Sequence, residues 1–175
     1  MSPSESRDAS STAFDLVLPM PAIDLVPHAG RMSLLHEVLA CEGDRLVAEA
    51  VVDAGQLFHD SQGEGTGVGA WIGIELMAQA VAAWAGAQGR VRGEAPRIGL
   101  LLGCRRYRST RSRFEAGERL SIAIAREFQA DNGLGQFACE LRLAGEPPEA
   151  PPLAQAQLTV FGPPDPAAFL AGASP

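Results

Sequence analysis

Between Gly67 and Gly86 the chain reads "GVGAWIGIELMAQAVAAWAG", and within that apolar stretch only Glu75 is charged and only Gln79 is otherwise strongly polar. Burying an ionised carboxylate costs about several kcal/mol unless it is paired or well hydrogen-bonded. A negative charge near a helix start recovers roughly 0.3–1 kcal/mol from the helix dipole, too little to offset burial. If the helix is buried there, Glu75 is a candidate general acid or base. Gln79 follows at i+4 on the same face. It can hold the carboxylate in one rotamer, contact a ligand amide, or join Glu75 in an ordinary polar stripe.

Proton transfer by a carboxyl group calls for a second group, and histidine is the side chain best suited to accept a proton near neutral pH. The chain has His28 in "VPHAGRM", His36 in a strand-like pattern where a surface role suffices, and His59 in a loop ahead of Glu75. His59 combines a loop position with closeness in sequence to the acid, although a solvated loop histidine also fits. Gly63, Gly65, Gly67 and Gly69 precede the helix. Their open backbone, ending at Gly69 and Ala70, can aim N–H donors at a ligand oxygen where negative charge develops. A flexible loop accounts for the same glycines.

The elements that must position these groups read as follows. Residues 1–21 are rich in Ser, Asp and Pro and are expected to be flexible. "MSLLHEVLACEGDRLVAEAVV" holds two β-compatible runs around the turn signal "EGD", hence a hairpin. A loop is expected over "DAGQLFHDSQGEGTGVG". From Ala70 to about Arg90 the chain is dominated by Ala, Leu, Met and Gln and exceeds strand length, so a helix is expected, apolar on nearly every face and therefore buried on most sides. Pro96 prevents its continuation. Four strands follow, in "RIGLLLGCRRYRS", "ERLSIAIAREFQ", "GLGQFACELRLAG" and "PLAQAQLTVFG", and residues 163–175 read as a tail. Hairpin, long helix and then strands, without βα alternation, is the pattern of an α+β domain whose antiparallel sheet covers one helix.

At 175 residues the chain suits a single domain. No apolar run reaches the roughly 18 unbroken residues of a membrane span, and the polar start lacks a secretory signal pattern, so a cytoplasmic protein is expected. Cys41, Cys104 and Cys139 are widely spaced, which suits free thiols rather than disulfides or a zinc site. A net charge of −7 disfavours nonspecific nucleic-acid binding. All 14 basic residues are Arg, and Arg105, Arg106, Arg108, Arg111 and Arg113 fall in one short segment. That segment suits an acidic partner or a solvated strand end.

"GIELMAQAVAAWAG" resembles the central helix of hot-dog-fold 3-hydroxyacyl-[acyl carrier protein] dehydratases, whose acid stands just before a "MAQ"-like step. "VPHAGRMSLLHEVL" is similar to the start of that family's first strand, and "RIGLLLGCRRYR" followed by "FEAGERLSI" to its later strands and "PGD"-type turn. The resemblance spans residues 22–162 and looks closest to the branch associated with aryl polyene biosynthesis. It implies a long helix wrapped by a curved antiparallel sheet, paired edge to edge with a second subunit, either a copy of this chain or another hot-dog protein. It implies a site at the subunit interface in which Glu75 is the acid, Gln79 its neighbouring amide, and a loop histidine of the other chain, at the position of His59, the base. It further implies an acyl carrier protein as partner, engaged by the arginine segment, with the substrate on its phosphopantetheine and no metal or organic cofactor.

The loop departs from the better-known members: "FHD" stands for their "HFP", Gly69-Ala70 for their Pro-Gly, and His59 is 16 positions ahead of Glu75, a slightly longer spacing. This leaves His28 as another base, or a subunit that works beside an active partner. Two other readings are a hot-dog thioesterase, in which the helix carboxylate activates water, and a noncatalytic subunit of a heteromeric dehydratase.

Overall fold

The computed structural model describes residues 16–53, 59–63, 65–163 and 165–172, and for 59–63, 65, 166, 167 and 170 the backbone alone. A two-residue strand β1 (Met20–Pro21) leads through short 3-10 turns at Ala22–Asp24 and Gly30–Met32 into the hairpin β2 (Glu37–Glu42) and β3 (Arg45–Val51). Gly43 makes its turn with φ +53°, a left-handed conformation natural to glycine. Strands β4 (His59–Gly63) and β5 (Gly65–Gly69) follow, then helix α1 (Ile72–Val91). After it come β6 (Leu100–Ser109), β7 (Arg113–Glu115), β8 (Arg119–Gln129), β9 (Leu134–Leu143), β10 (Ala154–Phe161) and a short helix α2 (Pro166–Gly172).

Seven strands form one antiparallel sheet in the order β1-β2-β3-β8-β9-β10-β6. Their alternating residues, including Leu46, Ala48 and Ala50 of β3, Leu120, Ile122 and Ile124 of β8, and Phe137, Cys139 and Leu141 of β9, are buried under α1. The helix contributes Ile72, Leu76, Met77, Ala80, Ala83, Trp84 and Ala87 to the same core. Trp84 meets Phe137 edge-on with ring centroids 5.4 Å apart, donates its indole N–H to the Gly43 carbonyl at 2.9 Å, and carries the Arg126 guanidinium 4.9 Å over its ring. Gly86 permits close packing: a Cβ there would stand 1.9 Å from the Leu25 carbonyl oxygen. This is the α+β arrangement expected, one long helix against a large antiparallel sheet. Among the described residues no helix is long and apolar enough to cross a membrane.

Three local features differ from the sequence expectation. The glycine-rich segment ahead of α1 is strand, not loop: β4, β5 and β7 make a second three-stranded sheet. Gly67 allows it, because a Cβ there would lie 2.1 Å from the Phe114 carbonyl oxygen of β7. Met20 and Pro21, within the N-terminal segment expected to be flexible, pair with Val38 and Glu37. The C-terminal segment read as a tail contains α2, started by Asp165, whose carboxylate accepts from the Ala168 N–H at 2.9 Å, with Pro166 at the first helical position. Phe169 packs on Phe161 at 5.7 Å.

Candidate active site

Glu75 lies in the first turn of α1. Its side chain is one-third exposed (34%), so a single chain does not enclose it as a fully buried helix would. The acid is nonetheless held. The Gln79 amide nitrogen donates to Glu75 Oε1 at 2.9 Å and to the Met32 carbonyl at 2.7 Å, and the Gln79 oxygen accepts from the Leu34 N–H at 2.9 Å. Gln79 is wholly buried. Both its amide hydrogens and its oxygen are therefore engaged by the protein. Of the uses open to it in sequence, the structure shows the one that fixes the carboxylate, and no amide hydrogen is left for a ligand.

The bonds from Gln79 to Met32 and Leu34 also anchor the segment that leads into β2. That segment carries His28, whose Nε2 stands 3.8 Å from Glu75 Oε1 in the same chain. The imidazole is 29% exposed, and its Nδ1 is buried without a hydrogen-bond partner among the described residues. His28 is thus within ion-pair reach of Glu75 when protonated. The backbone of His59 is in β4, opposite Val68 of β5, and its side chain lies outside the described residues. His36 is exposed, with its backbone N–H bonded to the Glu49 carbonyl at 2.7 Å.

Gly69 pairs with Arg113 across β5 and β7. The Ala70 N–H, expected to face a ligand, donates instead to the Ser112 carbonyl at 2.9 Å. The reason is the second sheet, which continues to the helix start and uses that donor. Ala70 has a different function at this point: its carbonyl accepts the Gly73 N–H at 3.0 Å and the Tyr107 hydroxyl of β6. Burial, with a smaller effect from Cys104, pushes the Tyr107 phenol above its ordinary value, so this hydroxyl stays a donor. Tyr107 had no sequence signal beyond its lying among the arginines.

Further along α1, a largely apolar cavity of about 260 Å³, with Arg92, Glu94 and Arg97 also in its lining, runs between the helix and the strands β6, β9 and β10. Ala78 and Ala82, three and seven positions after Glu75, line it together with Val81, Trp84, Phe137 and Val160. Helical spacing puts Ala78 and Ala82 on the face of Glu75.

The arginine segment divides. Arg105, Arg106 and Arg108 are exposed on β6, the edge strand of the large sheet. Arg111 is ion-paired with Glu118 at 2.7 Å, and Arg113 is half-buried in β7.

Comparison with known proteins gives the family. The dehydratase heterocomplex ApeI:P from Xenorhabdus doucetiae matches with a TM-score of 0.74 and 25% identity, over 89% of this chain and 99% of that one. Zebra fish thioesterase superfamily member 2 matches with a TM-score of 0.54 and 18% identity, over 80% of this chain and 90% of that one. A hypothetical thioesterase with coenzyme A from Streptococcus pneumoniae TIGR4 matches with a TM-score of 0.52 and 15% identity, over 73% and 86%. The last two share the hot-dog fold alone. No curated protein matches significantly. The family model described as ApeP-like, ApeP dehydratase, matches residues 20–171, nearly the whole described chain, and the protein is a member of the ApeP-like family of hot-dog dehydratases.

Proposed function

We propose that the chain dehydrates 3-hydroxyacyl thioesters carried on acyl carrier protein to trans-2-enoyl thioesters, in fatty-acid-like or aryl polyene biosynthesis. The observation that carries this reading is the His28–Glu75 contact at the start of a helix whose later turns line a cavity, in a chain of a dehydratase family. The histidine removes a proton from the carbon next to the thioester carbonyl. The Glu75 carboxyl protonates the departing 3-hydroxyl, and water leaves. The histidine then holds a proton that the carboxylate lacks. A water relays it from the histidine to the free carboxylate oxygen, Oε2, and resets the pair. Because Gln79 donates to Oε1, the reacting proton is carried on Oε2.

His28 is the favoured base on geometry; His59 remains the second candidate, supported by the family pattern. The acyl chain lies along Ala78 and Ala82 in the cavity, and its carrier is held by Arg105, Arg106 and Arg108, whose exposed positive charge complements an acidic protein. The chemistry is proton transfer only and asks for no metal or organic cofactor. A cytoplasmic site of action goes with such a partner.

A second reading has one observation behind it: the Xenorhabdus relative is a heterocomplex. On that reading this chain pairs with another hot-dog subunit and shapes its partner's site. The test is to supply a 3-hydroxyacyl carrier protein to the purified chain, alone and with a hot-dog partner, and to identify the product by mass. An enoyl thioester supports the proposal. Free acid and thiol would make the chain a thioesterase, and Glu75→Gln without effect on the complex would make it a noncatalytic subunit.

A further inference from the structure

The strand that bears the exposed arginines also fastens the helix that bears the acid. Between Arg105 and Arg108 the register of β6 against β10 slips, from Gln157↔Arg105 to Gln155↔Arg108. Three steps on β6 oppose two on β10, so β6 holds one extra residue there, a β-bulge. Arg106 takes it up with φ +56°, a left-handed conformation uncommon for a side chain other than glycine, asparagine or aspartate. The consequence is a change of face. Cys104 packs toward the core, and simple alternation would turn Tyr107 outward; with the extra residue Tyr107 packs inward, against the core beside α1.

Turned inward, Tyr107 reaches the first turn of α1 at two points. Its hydroxyl donates to the Ala70 carbonyl, and it occupies the space over Gly73, where a Cβ would stand 2.6 Å from that oxygen. Gly73 is two residues before Glu75. The turn that carries the acid is therefore fixed from below by Gln79 and from the side by Tyr107.

We propose that Tyr107 is a positioning residue for Glu75, acting through Ala70 and Gly73. The inference rests on the dehydratase reading and adds to it a residue that never touches the reacting atoms. Tyr107→Phe keeps the ring and removes the hydroxyl. It is expected to lower kcat by roughly 10- to 100-fold, the scale of a misplaced catalytic group, with KM for the acyl carrier protein substrate and the unfolding midpoint nearly unchanged. Gly73→Ala presses on the same hydroxyl and is expected to lower kcat in the same way. In the Tyr107→Phe background the Cβ at position 73 meets only the ring carbons, at 3.4 and 3.5 Å, an ordinary contact. Adding Gly73→Ala to Tyr107→Phe should therefore cost nothing further. A Tyr107→Phe enzyme with unchanged kcat, or losses that add in the double variant, would overturn the proposal. Glu75→Gln, assayed alongside, separates this outcome from failure of the dehydratase reading: if it too is fully active, the reading itself has failed.

Discussion

His28 Nε2 and Glu75 Oε1 lie 3.8 Å apart within one chain, although 47 positions separate them in sequence. The wrap of the N-terminal segment over the start of α1 brings them together, and Gln79 holds that segment through Met32 and Leu34. On the proposed reading the base and the acid share a chain and need no second subunit to meet. The cavity along the later turns of α1 and the edge strand β6 can still be completed by one.

The two histidines separate by mutation. His28→Ala is expected to reduce kcat by about 100- to 10,000-fold, the contribution of a positioned acid–base group, and His59→Ala by only a few-fold. Rates of enoyl thioester formation under saturating substrate decide the matter. The reverse ranking would return the base to His59.

Gln79 couples stability to the site. Gln79→Leu keeps the volume but leaves the buried Leu34 N–H without its acceptor, which costs about 1–3 kcal/mol in urea unfolding. Glu75 loses its donor in the same variant. The specific activity of the folded fraction should fall as well; full activity would show that the carboxylate needs no fixing.

Much of this frame was legible in the sequence. The length and composition of the Ala70–Arg90 stretch marked the helix, and alternation with turn signals marked β2, β3 and β6 and β8 to β10. Glycines hid β5, because Gly65, Gly67 and Gly69 alternate with Thr66 and Val68 in a run that reads as a flexible loop, and its pairing depends on the close approach of Gly67 to Phe114. His28 was harder to read than His59 because local spacing reports neighbours along the chain, whereas the wrap is tertiary. The bulge at Arg106 also left no pattern, so nothing marked Tyr107 as facing the helix.

Gly86 tests the packing of α1 on the N-terminal turn. Alanine normally gains about 1 kcal/mol over glycine inside a helix. Here its Cβ would press into the Leu25 backbone carbonyl, which cannot rotate away, and overpacking costs typically 1–3 kcal/mol or more. Gly86→Ala should therefore lower the unfolding free energy, whereas Gly103→Ala, with open space at its Cβ, should change it by no more than about 0.5 kcal/mol. Thermal and urea unfolding of the pair provide the check.

Cys139 gives the fold a pH dependence. Burial, with smaller effects from Cys104 and Glu127, pushes its thiol from 9.0 up to about 12. The folded state keeps the proton after the unfolded chain has lost it, so this stabilisation is complete below pH 9 and is lost as pH rises toward about 12. Cys41 and Cys104, also raised by burial, act with the same sign. Unfolding free energy in urea should decline from pH 9 upward in the wild type and less steeply in Cys139→Ala.

The central claim is that Glu75 supplies the proton that lets water leave. Its most direct test is the single-turnover rate of enoyl thioester formation from a 3-hydroxyacyl carrier protein, measured for wild type and Glu75→Gln in the same assembly, with the hot-dog partner present if one is required. The glutamine keeps the size and the bond to Gln79 within reach but cannot give up a proton. A loss of about 100- to 10,000-fold is predicted; an unchanged rate would contradict the account.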